Sequence, residues 1–168
     1  DKSEQITFLV DEAHNLLDRA RSMFSAELST KPFAELGRDF LPISGDIAHK
    51  ADRVSAWLRE VERGLPADGR AVWPDYDPQI LKHIEAFRGA CEKYLQDEAE
   101  IARWEKNRER DGEIQQLLLD TYFGALAFQR IAELYDPGYR TYATILDGEL
   151  VYKLFCIDPR NNLQAASL

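Results

Sequence analysis

Three observations predict a mainly α fold with a strand near the N-terminal end and a β-hairpin at the C-terminal end. Long stretches repeat apolar residues at three- and four-residue spacing, the signature of amphipathic helices. Residues 6–10 (ITFLV) form a short β-favouring apolar run. Residues 139–157 change to a period of two around Asp147-Gly148, a hairpin turn signal.

The elements follow in order. After residues 6–10, Asp11 opens a polar cluster, and from Ala13 the pattern turns helical, with Leu16, Leu17, Ala20, Phe24 and Leu28 on one face. Pro32 is expected to stop that helix, because the residue before a proline disfavours the helical region. A short helix is expected over 33–40, with Pro42 as its stop and Ser44 as the N-cap of the next. There Ile47, Ala51, Val54, Leu58, Val61 and Leu65 make a nearly unbroken stripe, closed by Gly64 and Pro66. Residues 66–78 hold three prolines, Gly69, Trp73 and Tyr76, and read as a loop.

Asp77-Pro78 is an N-cap followed by proline at the first helical position. The spacing of Ile80, Ile84, Phe87, Cys91, Ile101 and Trp104 predicts one helix reaching Arg110, broken by Asp111-Gly112. The next helix carries Ile114, Leu117, Thr121, Ala125, Phe128, Ala132 and Tyr135, and Asp136-Pro137-Gly138 ends it. The hairpin follows, then an Asp158-Pro159 turn and the start of a further helix over 161–168. A single apolar strand at residues 6–10 needs a neighbour, since an unpaired strand leaves backbone donors and acceptors open. It pairs either with the C-terminal hairpin or with a larger sheet outside this segment.

Composition narrows the function. With 168 residues, of which 45% are hydrophobic, the chain fits one compact domain with a sizeable core, and it is not expected to be disordered. No apolar run is long enough to cross a bilayer, and no signal-peptide pattern opens the sequence. Cys91 and Cys156 are too few for a disulfide framework or a four-thiolate metal site, and are expected to be buried thiols in a reducing compartment. The formal charge of −9, from 21 basic and 30 acidic residues, argues against strong nonspecific nucleic-acid binding by the whole surface.

The sharpest chemical motif is Asp11-Glu12-Ala13-His14, directly after the apolar run. A strand that delivers two adjacent carboxylates at its end suits a Mg·ATP site, where one holds the metal and the other polarises the attacking water. Chance would place this tetrapeptide in roughly one chain in a thousand of this length. The competing reading is an acidic helix start, with Asp11 as a cap and Glu12 favouring the helix dipole.

The segment ITFLVDEAHNLLDRARSMFS closely resembles the Walker B region of DEAH-box superfamily 2 helicases, and Asn15-Leu16-Leu17-Asp18 resembles the XPD/DinG branch. At the other end, LFCIDPRNNLQAASL resembles the strand, Asp-Pro turn and helix start that precede the next helicase motif. That resemblance implies three parts. Residues 1–30 would be the Walker B strand and following helix, 31–138 a helical arch-like insertion, and 139–168 a β-hairpin and the return to the helicase core. It implies an ATP-dependent DNA helicase as the full-length protein, with Asp11 as the Mg²⁺ ligand and cofactor-binding residue, Glu12 as the catalytic base and His14 as a coupling residue. ATP and Mg²⁺ would be the cofactors of the full protein. Its partners would be single-stranded DNA and the remaining helicase domains of the same chain, with no membrane. A cytoplasmic location, in a bacterial cytosol, goes with this reading. No glycine here is followed by lysine, so this segment has no phosphate-cradling loop, and alone it is expected to be inactive. The family's cluster cysteines lie upstream of the DEAH segment, so no iron–sulfur cluster is expected here.

The alternative is a stand-alone acidic helical protein-interaction module whose long amphipathic helices receive another helix. Weaker signals sit in the middle. Arg103, Lys106, Arg108 and Arg110 surround Trp104, but Glu100, Glu105, Glu109 and Asp111 interleave with them, which favours a salt-bridged helix face over a DNA track. Trp57, Trp73, Tyr76 and Trp104 are either a base-stacking platform or core and loop anchors. His49 and His83 have no partners at metal spacing.

Overall fold

A computed structural model describes residues 15–166. In these residues, helix α1 covers 15–23. It is followed by β1 (Ala26–Ser29), α2 (Thr30–Asp39), α3 (Gly45–Arg63), β2 (Arg70–Trp73), α4 (Pro78–Gln96), α5 (Glu98–Lys106), α6 (Arg108–Glu133), β3 (Tyr139–Leu146), β4 (Glu149–Cys156) and α7 (Arg160–Ala166). The fold is mainly α, with one four-stranded antiparallel sheet in the order β1-β4-β3-β2.

The hairpin forms where its turn chemistry demands. Asp147 and Gly148 both adopt positive φ, 53° and 76°, as a type I′ turn requires. Register then decides which side is dry. Tyr139 faces Cys156, Thr141 faces Leu154 and Ala143 faces Tyr152, and all six are buried. The opposite face carries Arg140, Tyr142 and Lys153, which are half-buried, and Phe155, which is exposed. Among the described residues, the core helices pack against the dry side. Leu28 of β1 extends the dry face beside Tyr152.

Two expected helix boundaries move, for identifiable reasons. Residues 26–29 form a strand, although Leu28 also fits the helical stripe. Ser25 switches the chain: its hydroxyl donates to the Arg21 carbonyl (2.6 Å), closing α1, and accepts the Cys156 amide (2.9 Å), opening the ladder. Pro32 therefore does not stop a helix. It occupies the first turn of α2, where its missing N–H has no intrahelical acceptor to lose. Ser29 makes no side-chain cap there, and Glu149 from the hairpin accepts the Lys31 amide instead (2.6 Å).

The long helix expected from Asp77 to Arg110 is broken twice. Asp97 takes an extended conformation (ψ 115°), and its carboxylate accepts the amides of Ala99 (2.9 Å) and Glu100 (3.1 Å). Asn107 then ends α5 and starts α6, while Gly112, expected as the breaker, lies inside α6. The corner is held from inside. Trp104 is buried against Tyr94 with ring centroids 6.1 Å apart, and buried Gln115 donates to the Trp104 carbonyl (3.0 Å). Asp97→Ala is expected to destabilise the protein by about 1 kcal/mol, and Asp97→Asn by far less, read as shifts of the urea midpoint. An unchanged midpoint in the alanine variant would show that packing alone makes the break.

The core lies between the sheet and α2, α3, α4 and α6. Ile47, Ala51, Val54 and Leu58 from α3 meet Ile80, Ile84 and Phe87 from α4, and Leu118, Ala125 and Phe128 from α6. Ser44 and Asp77 cap α3 and α4 as their sequences predict. The stretch expected as a loop over 66–78 contains β2, which pairs Trp73 with Thr141 and Arg70 with Thr144. Gly69, at φ 70°, aims its carbonyl at the Ile145 amide and starts that pairing. Both hairpin strands are thereby flanked, β4 by β1 and β3 by β2.

Cys91 and Cys156 are free and buried. Burial, with the charges of Glu92 and Asp46 adding to it, pushes the Cys91 thiol up to about 12. At pH 8 its thiolate fraction is therefore lower by about three orders of magnitude than that of a free cysteine. Neither thiol is expected to react with a disulfide reagent in the native protein at pH 8, and both should react at once in denaturant. Rapid native labelling of Cys91 would contradict this packing.

Candidate functional site

Asp11, Glu12 and His14, and the apolar run at 6–10, lie outside the described residues. The helix that follows the tetrapeptide is described, and its far end is tied to the other end of the fold. Arg21 Nε donates to the Ile157 carbonyl (3.0 Å), just beyond β4. The Arg21 guanidinium also pairs with Asp18 (3.3 Å). Chain entry at Ser25 and chain exit at Cys156 are thus hydrogen-bonded neighbours, though 131 positions apart.

The basic cluster is a salt-bridged helix face. Arg103 pairs with Glu100 (2.9 Å), Arg108 with Glu105 (2.7 Å) and Arg110 with Asp111 (2.8 Å). The side-chain hydrogen bond from Arg110 lowers the pKa of the Asp111 carboxyl below its ordinary value. Trp104, at 9% exposure, points inward and has no ring face to offer a base. His49 is exposed and His83 half-buried, and among the described residues no group of His, Cys, Asp and Glu could hold a metal ion. Also among the described residues, no helix is long and apolar enough to cross a membrane.

The other three large aromatic residues do converge. They line a cleft of about 390 Å³ between α3, the segment after β2, and β4. Trp57, Glu60, Val61 and Gly64 recur at helical spacing, so one side of α3 supplies its wall. Trp73 enters from the end of β2, on the helix-covered face of the sheet, and Tyr152 from β4 forms the floor. Trp57 stands edge-on to Tyr152 (centroids 5.2 Å, 87°), and Trp73 leans over the same ring (6.4 Å, 35°).

The segment carrying Asp75, Tyr76 and Asp77 is pinned on three sides. Tyr135 Oη donates to the Pro74 carbonyl (2.9 Å), which leaves the Thr141 hydroxyl as the donor in its contact with Tyr135 (3.0 Å). The Tyr76 ring packs edge-on against Tyr135 at 5.0 Å. The Asp77 amide donates to Tyr152 Oη (3.3 Å), and its carboxylate accepts the Gln79 amide (2.9 Å). Burial pushes the Tyr152 hydroxyl up to about 12, so it stays a neutral donor and acceptor. The cleft is therefore preformed, aromatic on several sides and rimmed by carboxylates. A wider groove of about 540 Å³ between α2 and α6 is acidic too, through Glu35, Asp39, Glu113 and Asp120, but no aromatic ring lines it.

Residue type singles out Trp57, Trp73 and Tyr76 in the sequence, but not Tyr152 or the three carboxylates of the cleft. Tyr152 alternates with Leu150 and Leu154 and looks like any inward hairpin residue. Glu60, Asp75 and Asp77 look like ordinary surface acids until the chain folds them around the rings.

No protein-family model and no curated protein matches this chain.

Proposed function

We propose that this chain is part of an ATP-dependent DNA helicase of the XPD/DinG type, spanning the Walker B segment and the arch insertion. The observation that carries the reading beyond the tetrapeptide is the meeting of entry and exit. An inserted module must leave and rejoin its parent at neighbouring points. Here the residue closing the helix after Asp-Glu-Ala-His, Ser25, is hydrogen-bonded to the strand that precedes the Asp158-Pro159 turn. The pairing of β1 with β4 and the bond from Arg21 to Ile157 support the same closure. The sheet fits as well. Both hairpin strands already have outer neighbours, which favours a partner for residues 6–10 in a larger sheet over the hairpin.

In this reading Asp11, a hard oxygen donor, holds Mg²⁺, which would neutralise charge on the phosphates of bound ATP. Glu12 orients water and accepts its proton at a carboxylate oxygen. His14 connects that site to neighbouring helicase elements. The described module frames the path of single-stranded DNA, and ATP hydrolysis drives translocation in the intact enzyme. The basic residues of α5 and the start of α6 are largely spent on ion pairs, so a single run of free cations on that face is not the DNA contact.

The test is ATP turnover by the intact protein, with and without single-stranded DNA, before and after Glu12→Gln. DNA-stimulated turnover that the substitution removes is expected. Turnover that survives the substitution would overturn the reading and leave the acidic interaction module in its place.

A further inference from the structure

We propose that the cleft between α3 and the pinned segment after β2 binds an alkylated ammonium group. The inference stands apart from the helicase reading, because every residue it uses lies in the described fold.

Cavity chemistry selects the ligand by elimination. A phosphate or nucleotide would face Glu60, Asp75 and Asp77 at the rim, with like charges opposed. Stacking a nucleic-acid base on these rings would bring its phosphate against the same carboxylates. A bare metal ion would need converging donors, and the described residues offer no such group. A neutral apolar guest would cover the rings but would strip water from the acids without compensation. An organic cation satisfies both features: its alkyl surface meets the rings, whose faces attract positive charge, and its charge meets the carboxylates.

The carboxylates are available for that role to different degrees. Glu60 is paired with Arg63. Asp77 uses its side chain to cap α4. Asp75 has no ion-pair partner among the described residues, and sits between Pro74, held by Tyr135, and Tyr76, packed on Tyr135. Its position is thus fixed by its neighbours while its charge is unspent. The rings pack on one another and present the cleft with a bent aromatic wall, not a flat platform. Trp57 and Tyr152 meet nearly at right angles, with Trp73 as a third wall. A quaternary or methylated ammonium head fits that shape better than a planar guanidinium, which asks for two parallel bonds to one carboxylate.

The head could be a free small molecule or the side chain of a polypeptide, and one experiment separates these sources. The full chain is titrated with choline, with its neutral isostere 3,3-dimethylbutan-1-ol, and with a short peptide carrying trimethyllysine, following tryptophan fluorescence. Two of the three tryptophans, Trp57 and Trp73, line the cleft, so occupancy has a direct signal. Saturable binding of a cation is expected, with the neutral isostere at least about fivefold weaker. Tighter binding of the peptide assigns the head to a polypeptide; tighter binding of choline assigns it to a small molecule.

Trp73→Leu and Asp75→Asn should each weaken the better cation by at least about fivefold. Both side chains are exposed, Trp73 by 37%, so the urea midpoint should stay within reach of the parent and report that folding is intact. Absence of saturable binding by either cation, equal affinity for the neutral isostere, or full affinity in both variants would overturn the proposal.

Discussion

On the proposed helicase reading, Glu12→Gln in the intact protein is expected to lower ATP turnover by about 10²–10⁴-fold, the usual loss when a positioned general base is removed. The amide keeps the size of the carboxylate but cannot accept the proton of the attacking water. Nucleotide binding should persist, because Asp11, the proposed Mg²⁺ ligand, is untouched. Asp11→Asn is the informative contrast: it should raise the Mg²⁺ and ATP concentrations needed, since a neutral amide oxygen is a poorer ligand for a hard cation. His14→Ala separates the third role. If His14 couples the site to neighbouring elements, basal turnover survives while stimulation by single-stranded DNA falls. The three variants therefore give three different phenotypes, and a common mild loss in all of them would point to a helix start that caps and nothing more. The isolated 168-residue chain should hydrolyse no ATP, as no glycine-lysine pair exists in it to cradle phosphate.

Local chemistry is legible in the sequence at the hairpin turn and at two helix caps, where one residue decides the outcome. Asp147-Gly148 makes the hairpin turn, and Ser44 and Asp77 make caps, because each acts within a few residues of itself. The boundary misjudged at residues 26–29 is settled by a distant partner. Residues 26–29 become a strand because β4 offers them a ladder 125 or so positions later, and Leu28 is buried under either description. Pro32 is harmless because that strand moves the start of α2 to Thr30 and leaves the proline in the first turn, where its missing N–H has no intrahelical acceptor to lose. Gly112 was a plausible breaker by propensity, yet a glycine inside a long packed helix costs only about 1 kcal/mol, less than the packing around it supplies. Asp97 carried the stronger local signal, since its side chain can replace two backbone acceptors at once. The aromatic cleft shows the same division. Its tryptophans stand out by type, whereas Tyr152, Asp75 and Asp77 join them only through the β2–β3–β4 register and the hydrogen bond from the Asp77 amide to Tyr152.

Phe87→Ala is the substitution expected to hurt the fold most directly, by about 3–5 kcal/mol. Phe87 is fully buried on α4 and meets Phe33 of α2 edge to face, with centroids 5.3 Å apart and planes at 74°. Removing the ring takes away its transfer free energy and leaves a void walled by α2, α3, α4 and α6, which cannot all move inward together. Against a total stability of roughly 5–15 kcal/mol for an ordinary domain, that loss lowers the urea midpoint by about 1–2 M. Phe87→Leu keeps most of the volume and should cost less than about 1.5 kcal/mol, which keeps the test usable even if the alanine variant does not fold. The ring pair itself is isolated by combining Phe87→Leu with Phe33→Leu. A coupling of about 0.5–1.5 kcal/mol is expected beyond the sum of the single changes, because the edge-to-face contact vanishes in either one. Simple additivity would mean that the rings contribute only as apolar volume. A full alanine penalty below about 1.5 kcal/mol would mean that α2 and α4 do not share the core described here.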